Sequence, residues 1–186
     1  IVFAGKIEEK KGVMSLIRSL SLLGKKAPHV QKGALQVYLA GSAGNETEYR
    51  EIQRLAEECP YEIHFLGRLA QPALAKVYNE CDIFTLPSFF DGLPLTVIEA
   101  LACGDRVVVS DLPGIQAWLG EYAPGADVRY VTMPQMRNTD EPVPESLPEF
   151  EERLAKALLQ SIHTKERKIA DVSKISWEGI AKKVLG

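Results

Sequence analysis

Lys6 and Lys11 bracket the stretch GKIEEKKG, Gly5 to Gly12, and Asp91 and Glu99 bracket the stretch DGLPLTVIE. A helix beginning after Gly12 offers free N–H groups and a partial positive charge at its start, and two lysines added there suit a diphosphate. Glu8 and Glu9 lie between the lysines, so a solvated loop of mixed charge fits the same residues. The two acids suit a different part of a ligand. Carboxylates accept from sugar hydroxyls and backbone amides donate to phosphate oxygens, so both at one crevice can hold a polyhydroxylated phosphate.

Pro94 suits the first turn of a helix, where its missing N–H is no loss. That leaves the N–H groups of Leu95 and Thr96 without intrahelical acceptors, with Asp91 and Gly92 lining the mouth ahead of them. Glu99 then falls about one and a half turns in, at ~1.5 Å rise per residue. Val97, Ile98, Ala100, Leu101 and Ala102 surround it in sequence, which predicts a carboxylate shielded from bulk water. Such a group needs a partner or it takes up a proton. A pair of ligand hydroxyls is one candidate; an ion pair with Lys6, Lys11 or Arg106 is the other. The stretch AGSAGN, Ala40 to Asn45, has neither the spacing of a dinucleotide fingerprint nor the lysine of a P-loop. It reads as an ordinary strand-to-helix turn in which Gly41 permits close approach. Ser42 and Thr96 each carry a hydroxyl that can donate to phosphate.

These loops need a frame that gathers them. Short apolar, β-branched runs at Ile1 to Gly5, Leu35 to Ala40, Glu62 to Leu66, Asp82 to Leu86, Arg106 to Ser110 and Val128 to Thr132 read as strands. Helical periodicity falls between them, at Val13 to Leu23, Glu46 to Cys59, Pro72 to Glu80, Pro94 to Cys103 and Gly114 to Leu119. The alternation predicts an α/β fold, a doubly wound parallel sheet of Rossmann type with right-handed crossovers. Met133 to Pro148 carries four prolines and reads as a connecting loop, with helical periodicity resuming at Phe150, Leu154 and Leu158. Ser173 to Gly186 reads as a last amphipathic helix with Ile175, Trp177, Ile180 and Val184 on its apolar side. Ligands of such sheets bind at the carboxyl ends of the strands, which is where the loops above lie.

The totals narrow the partners. The chain has 186 residues, enough for one ordinary domain. Its net charge of −3 gives no overall field for a nucleic acid, so any phosphate must be held by a local cluster. The run of ~18 apolar residues that a membrane helix needs does not occur. Cys59, Cys81 and Cys103 are odd in number and widely spaced, which predicts reduced thiols in a cytoplasmic protein rather than disulfides or a zinc site. His29, His64 and His163 are too scattered for a metal centre, and none is expected. The chain opens directly on a strand-like run, as expected of a domain cut from a longer protein.

In order and spacing, these segments resemble the C-terminal, donor-binding domain of GT-B-fold retaining glycosyltransferases of group 1, glycosyltransferase family 4 type. FAGKIEEKKG is similar to that family's opening strand and G-R-x-x-x-x-K-G loop. LQVYLAGSAG resembles its second strand and glycine turn, and IHFLGRLAQPALAKVYNECDIFTLPS its next strand, helix and strand. Asp91-x7-Glu99 is like its E-x7-E motif, EALACGDRVVVSDLPG follows in the same manner, and ISWEGIAKKVLG is similar to its terminal helix. The resemblance implies the C-terminal half of a GT-B fold over all 186 residues, with the acceptor-binding N-terminal domain outside this chain.

The same resemblance implies a nucleoside-diphosphate sugar (UDP-, GDP- or ADP-linked) as donor and no required cofactor. Lys6 and Lys11 would hold the donor diphosphate and Glu99 the ribose hydroxyls. Asp91 would take hydroxyls of the transferred sugar. Backbone amides from Gly92 through Leu93, Pro94 and Leu95 to Thr96 would line the sugar and distal phosphate. Gly67, Arg68 and Leu69 would run beside the nucleobase through main-chain contacts, with Gly5, Gly41 and Ser42 completing the donor site. Catalysis would fall to Lys6, Lys11 and Asp91. The acceptor, a glycan, lipid or small molecule, would be chosen by the other domain, through which the full-length protein could touch the inner face of a membrane; the isolated domain would be inactive. Lys6 stands where the family usually has arginine, Asp91 where it has glutamate, and Arg106 where it has proline.

Two rival readings share these residues. A same-fold nucleotide-sugar epimerase or phosphorylase would keep the sheet, although no segment resembles a phosphorylase's pyridoxal phosphate site. A non-catalytic nucleotide-binding or regulatory module of receiver type would need acids after its early strands, where this chain has Lys6, Lys10 and Lys11. Cys103, Trp177 and His64 read most simply as packing residues.

Overall fold

Val107, Val108 and Val109 are all buried, because β5 (Arg106–Ser110) is covered on both faces of the sheet. The computed structural model describes residues 1–30, 33, 35–92, 94–164, 166 and 168–173. The other strands are β1 (Val2–Ala4), β2 (Gln36–Ala40), β3 (Glu62–Gly67), β4 (Ile83–Leu86) and β6 (Val128–Val131). All neighbours pair in parallel, in the order β3-β2-β1-β4-β5-β6, the doubly wound arrangement expected from strand-helix alternation. Between them run α1 (Val13–Lys26), α2 (Glu46–Glu57), α3 (Gln71–Glu80), α4 (Leu95–Ala102), α5 (Ile115–Tyr122) and, after the last strand, α6 (Leu147–His163).

The core forms where apolar periodicity requires it. Leu16, Ile17, Leu20 and Leu23 of α1 are buried, as are Phe150, Leu154 and Leu158 of α6, and these two helices pack side by side. Phe150 meets Phe89, from the loop after β4, with ring centroids 5.5 Å apart. Each such side chain contributes about 1.5–3 kcal/mol by leaving water. On the opposite side α3 and α4 pack together, and Tyr78 of α3 meets Phe84 of β4 edge-on at 5.8 Å.

Three expectations are corrected. Pro94 caps α4 from outside, so the helix starts at Leu95. A proline lacks the N–H but keeps its carbonyl, which accepts from Val97 N at 2.9 Å. The proline-rich loop ends earlier than Pro148, because α6 begins at Leu147 with Pro148 inside its first turn. Within that loop Met136 and Pro142 form an antiparallel bridge around a turn held by Asn138, whose Oδ1 accepts from the amides of Asp140 and Glu141. The third is the shielding of Glu99, which is half-exposed. The expected terminal helix with Ile175, Trp177, Ile180 and Val184 lies outside the described residues.

Arg106 has a structural explanation. Its side chain is buried, its Nη1 donates to the Thr164 carbonyl just past α6, and its Nη2 lies 3.9 Å from Asp82 Oδ1. The arginine thus fastens the end of α6 to the start of β5.

Candidate functional site

The doubly wound order reverses between β1 and β4, so the loops after these strands diverge and leave a crevice at their carboxyl ends. Two glycines let the surrounding loops approach. A Cβ on Gly41 would lie 1.7 Å from the Gly5 carbonyl oxygen, and one on Gly12 would lie 2.0 Å from that of Pro87. Gly12 also adopts a left-handed φ of 73°, which glycine tolerates best. Beyond the strands, Ile7 N donates to Ser42 O at 2.9 Å and Gly41 N to Gly67 O at 2.8 Å. Phe89 N donates to Lys10 O at 2.9 Å, and Ser88, fully buried, donates from Oγ to Phe90 O at 2.7 Å. The loops after β1, β2, β3 and β4 are therefore laced into one rim.

A cleft of about 220 Å³ opens within that rim, lined by Lys6 and Arg68 together with Gly5, Gly41, Ser42, Leu69 and Thr96. Ala4, Ala40 and Leu74 complete it; none of the three was among the expected site residues, since an alanine or leucine in a core-like run carries no sign of facing a ligand. Two cations, glycine backbone and the first turn of α4 around one small space make a local positive patch in a chain of net charge −3.

Lys11 and Asp91, which do not line this cleft, form a second cluster between the loops after β1 and β4. Lys11 Nζ donates to Asp91 Oδ2 at 2.7 Å and to Phe90 O at 3.1 Å. The neighbouring Lys10 is drawn elsewhere: it pairs with Asp140 of the hairpin, which holds its pKa above the usual lysine value, and its Nζ lies 5.5 Å from the centre of the Phe90 ring. Gly92 and Leu95 are exposed while Pro94 is buried. Leu93 lies outside the described residues.

Glu99 is half-exposed rather than shielded. The apolar run is buried on one side only: Val97, Ile98, Ala100 and Leu101 face the core, whereas Leu95, Thr96, Glu99, Ala102 and Cys103 form an open stripe. The ion pair considered for Glu99 gives way to other contacts. Lys11 is bound to Asp91, Arg106 to the end of α6, and Glu99 Oε1 accepts from the neutral Gln71 Nε2 at 3.0 Å. Tyr78 is buried nearby, its phenol pushed up first by burial and then by the charge of Glu99. Glu99 lies one turn beyond Thr96, and Gln71 one turn before Leu74, so both sit beside residues of the cleft.

A family model described as "Glycosyl transferases group 1" matches residues 1–131. The chain belongs to the group 1 glycosyltransferases. One curated relative is the N,N'-diacetylbacillosaminyl-diphospho-undecaprenol alpha-1,3-N-acetylgalactosaminyltransferase of Campylobacter jejuni, 34% identical over 104 residues, covering 56% of this chain and 24% of that protein. Another is the D-inositol 3-phosphate glycosyltransferase of Corynebacterium jeikeium, 33% identical over 121 residues, covering 62% and 28%. The chain thus spans about a quarter of the length of these relatives. Among solved structures, the pneumococcal O-GlcNAc transferase GtfA, in complex with UDP and GlcNAc, has a TM-score of 0.58 at 19% identity over 86% of this chain and 28% of that one. A UDP-forming trehalose-phosphate synthase from Burkholderia xenovorans has a TM-score of 0.62 at 17% identity over 88% and 36%. These likenesses place this group 1 glycosyltransferase chain in the Rossmann-like architecture of GT-B enzymes.

Other expected features sit apart from the crevice. His64 stacks on Tyr38 with ring centroids 5.0 Å apart, in a packing role. Cys59, Cys81 and Cys103 are free thiols. Among the described residues no helix is long and apolar enough to cross a membrane.

Proposed function

We propose that this chain binds the nucleoside-diphosphate sugar of a retaining glycosyltransferase, which transfers the sugar to an acceptor hydroxyl held by a part of the protein outside the chain. The cleft shared by Lys6, Arg68, Gly5, Gly41, Ser42 and Thr96 carries this reading. It lies where parallel α/β sheets bind ligands, and it gathers cations with the amides of a helix start.

In this reading the diphosphate lies against Lys6, Lys11 and the amides of Leu95 and Thr96. Glu99 accepts from the ribose hydroxyls in place of Gln71, and Gly67 to Leu69 flank the base. Arg68 adds a guanidinium to the main-chain contacts expected there. Its planar fork can bind phosphate bidentately, which Lys6, a point charge, cannot. Asp91 takes a hydroxyl of the transferred sugar. Catalysis rests on orienting donor and acceptor and on stabilising the negative charge of the departing diphosphate. Retention is supported by the resemblance of Asp91-x7-Glu99 to the family motif. Transfer requires the acceptor-binding part of the protein, so this domain alone binds donor without turnover.

Calorimetric titration of the protein with UDP, GDP and ADP tests the reading. One of the three is expected to bind; a folded sample that binds none of them removes it.

A further inference from the structure

Lys11 and Asp91 are 80 residues apart in sequence, and both are expected to serve the donor. They are joined directly to each other. The ammonium group of Lys11 has three N–H donors. Asp91 Oδ2 and the Phe90 carbonyl take two of them, at 2.7 and 3.1 Å. Both side chains are about one-fifth exposed (19% for Lys11, 20% for Asp91), so the pair sits at the surface of the crevice while partly sheltered from screening.

The acceptors of Lys11 are themselves fixed. Phe90 O also accepts from the buried Ser88 Oγ at 2.7 Å, and Phe89 N is bound to Lys10 O. The backbone on either side of the lysine and of the aspartate is therefore one tied unit. A lysine held at two points by such a unit keeps one N–H for a further acceptor.

We propose that Asp91 is a positioning residue for Lys11: through Oδ2 it presents the lysine's remaining N–H to the distal phosphate of the donor. The proposal rests on the donor-site reading and extends it. Asp91 keeps Oδ1 for a sugar hydroxyl, so one carboxylate joins the recognition of the transferred sugar to the cation that steadies the leaving diphosphate. Ordering a long, rotamer-rich side chain on binding costs conformational entropy. The Lys11–Asp91 bond lowers that cost by holding the lysine in place.

UDP, which has the distal phosphate and no sugar, isolates this role. Its affinity is measured by calorimetry in the intact protein, for the wild type, Asp91→Ala, Asp91→Glu, Lys11→Met and the Asp91→Ala/Lys11→Met double variant. If UDP is not the nucleotide that binds, GDP or ADP takes its place. Removing a negative charge beside a polyanion site would, by field alone, tighten binding. The positioning role predicts the opposite sign: Asp91→Ala weakens UDP roughly two- to tenfold. Asp91→Glu recovers part of the loss, and the effect of Asp91→Ala vanishes when Lys11 is already Met. Unchanged or tighter binding of UDP to Asp91→Ala overturns the proposal, as does a loss that persists in the Lys11→Met background. Failure of the wild type to bind any of the three nucleotides is a different result, and it overturns the donor-site reading on which the proposal rests.

Discussion

Gln71 Nε2 donates to Glu99 Oε1 at 3.0 Å, joining the first turn of α3 to the open stripe of α4. A carboxylate that accepts from a neutral amide can exchange that amide for a pair of ligand hydroxyls. Neighbouring Thr96 and Leu74 line the cleft, one helical turn from Glu99 and Gln71.

Glu99→Ala is therefore expected to weaken the bound nucleotide by about 1.5–3 kcal/mol, the range for hydrogen bonds to a charged group. Gln71→Ala should weaken it far less, because the proposed ribose contact takes the place of this amide. Titration of both variants with the nucleotide that binds the wild type checks this. Equal losses would mean that Gln71, not the ribose, is the significant partner of Glu99.

Gly41 is held both by close contact and by its backbone, whose φ of 156° side-chain-bearing residues rarely adopt. A Cβ there meets the Gly5 carbonyl at 1.7 Å, and backbone atoms cannot swing aside as a side chain can. Gly41→Ala should push the loops after β1 and β2 apart and destabilise the fold by roughly 1–3 kcal/mol. Nucleotide affinity should fall with it, since Gly5, Lys6, Gly41 and Ser42 share the cleft. Denaturant unfolding alongside calorimetry separates the two effects. A variant of unchanged stability would show that the contact relaxes freely.

Arg106 predicts the converse, a loss of stability without loss of binding. Removing its side chain leaves the Thr164 carbonyl without its charged donor. Arg106→Ala should cost about 1.5–3 kcal/mol in urea unfolding, while nucleotide affinity measured well below the transition stays at the wild-type value. A change in affinity would tie the end of α6 to the donor site.

Much of this molecule is legible in its sequence, and the limits have physical causes. The bounds of β5, Arg106 to Ser110, follow from an unbroken apolar run that only a doubly covered strand carries. The cleft residues Lys6, Gly41, Ser42 and Thr96 follow from their places after strands. What fails is lateral information. The surroundings of Glu99 were read from its neighbours along the chain, but its exposure depends on which side of α4 meets α3, and its partner Gln71 comes from 28 residues away. The Lys11–Asp91 pair and the cleft-lining Leu74 are likewise set by packing between elements, and nothing local in the sequence marks them. The hairpin from Met136 to Pro142 was hidden for another reason: prolines and polar residues announce a turn without saying what it folds against.

Glu151 links burial to pH. It is buried between α6 and α1, where its Oε1 accepts from Ser15 Oγ at 3.2 Å and lies 3.5 Å from Arg18 Nη1. Burial raises its pKa above the ordinary value of 4.5, and the arginine and serine only partly offset that. The folded state therefore holds this proton more tightly than the unfolded state does. Its contribution to stability is full below the unfolded value of 4.5 and is lost as pH rises through the folded value. Glu151→Gln keeps an acceptor for Ser15 and removes the buried charge, at the expense of an ion pair whose arginine is 40% exposed and so worth little. The variant should melt above the wild type at neutral pH, by about 2–4 °C for each kcal/mol gained. That advantage should shrink toward zero as the pH is lowered well below 4.5, where the wild-type carboxyl is protonated in both states. A difference in melting temperature that stays constant across the range would show that the ionised Glu151 is fully compensated by Arg18 and Ser15.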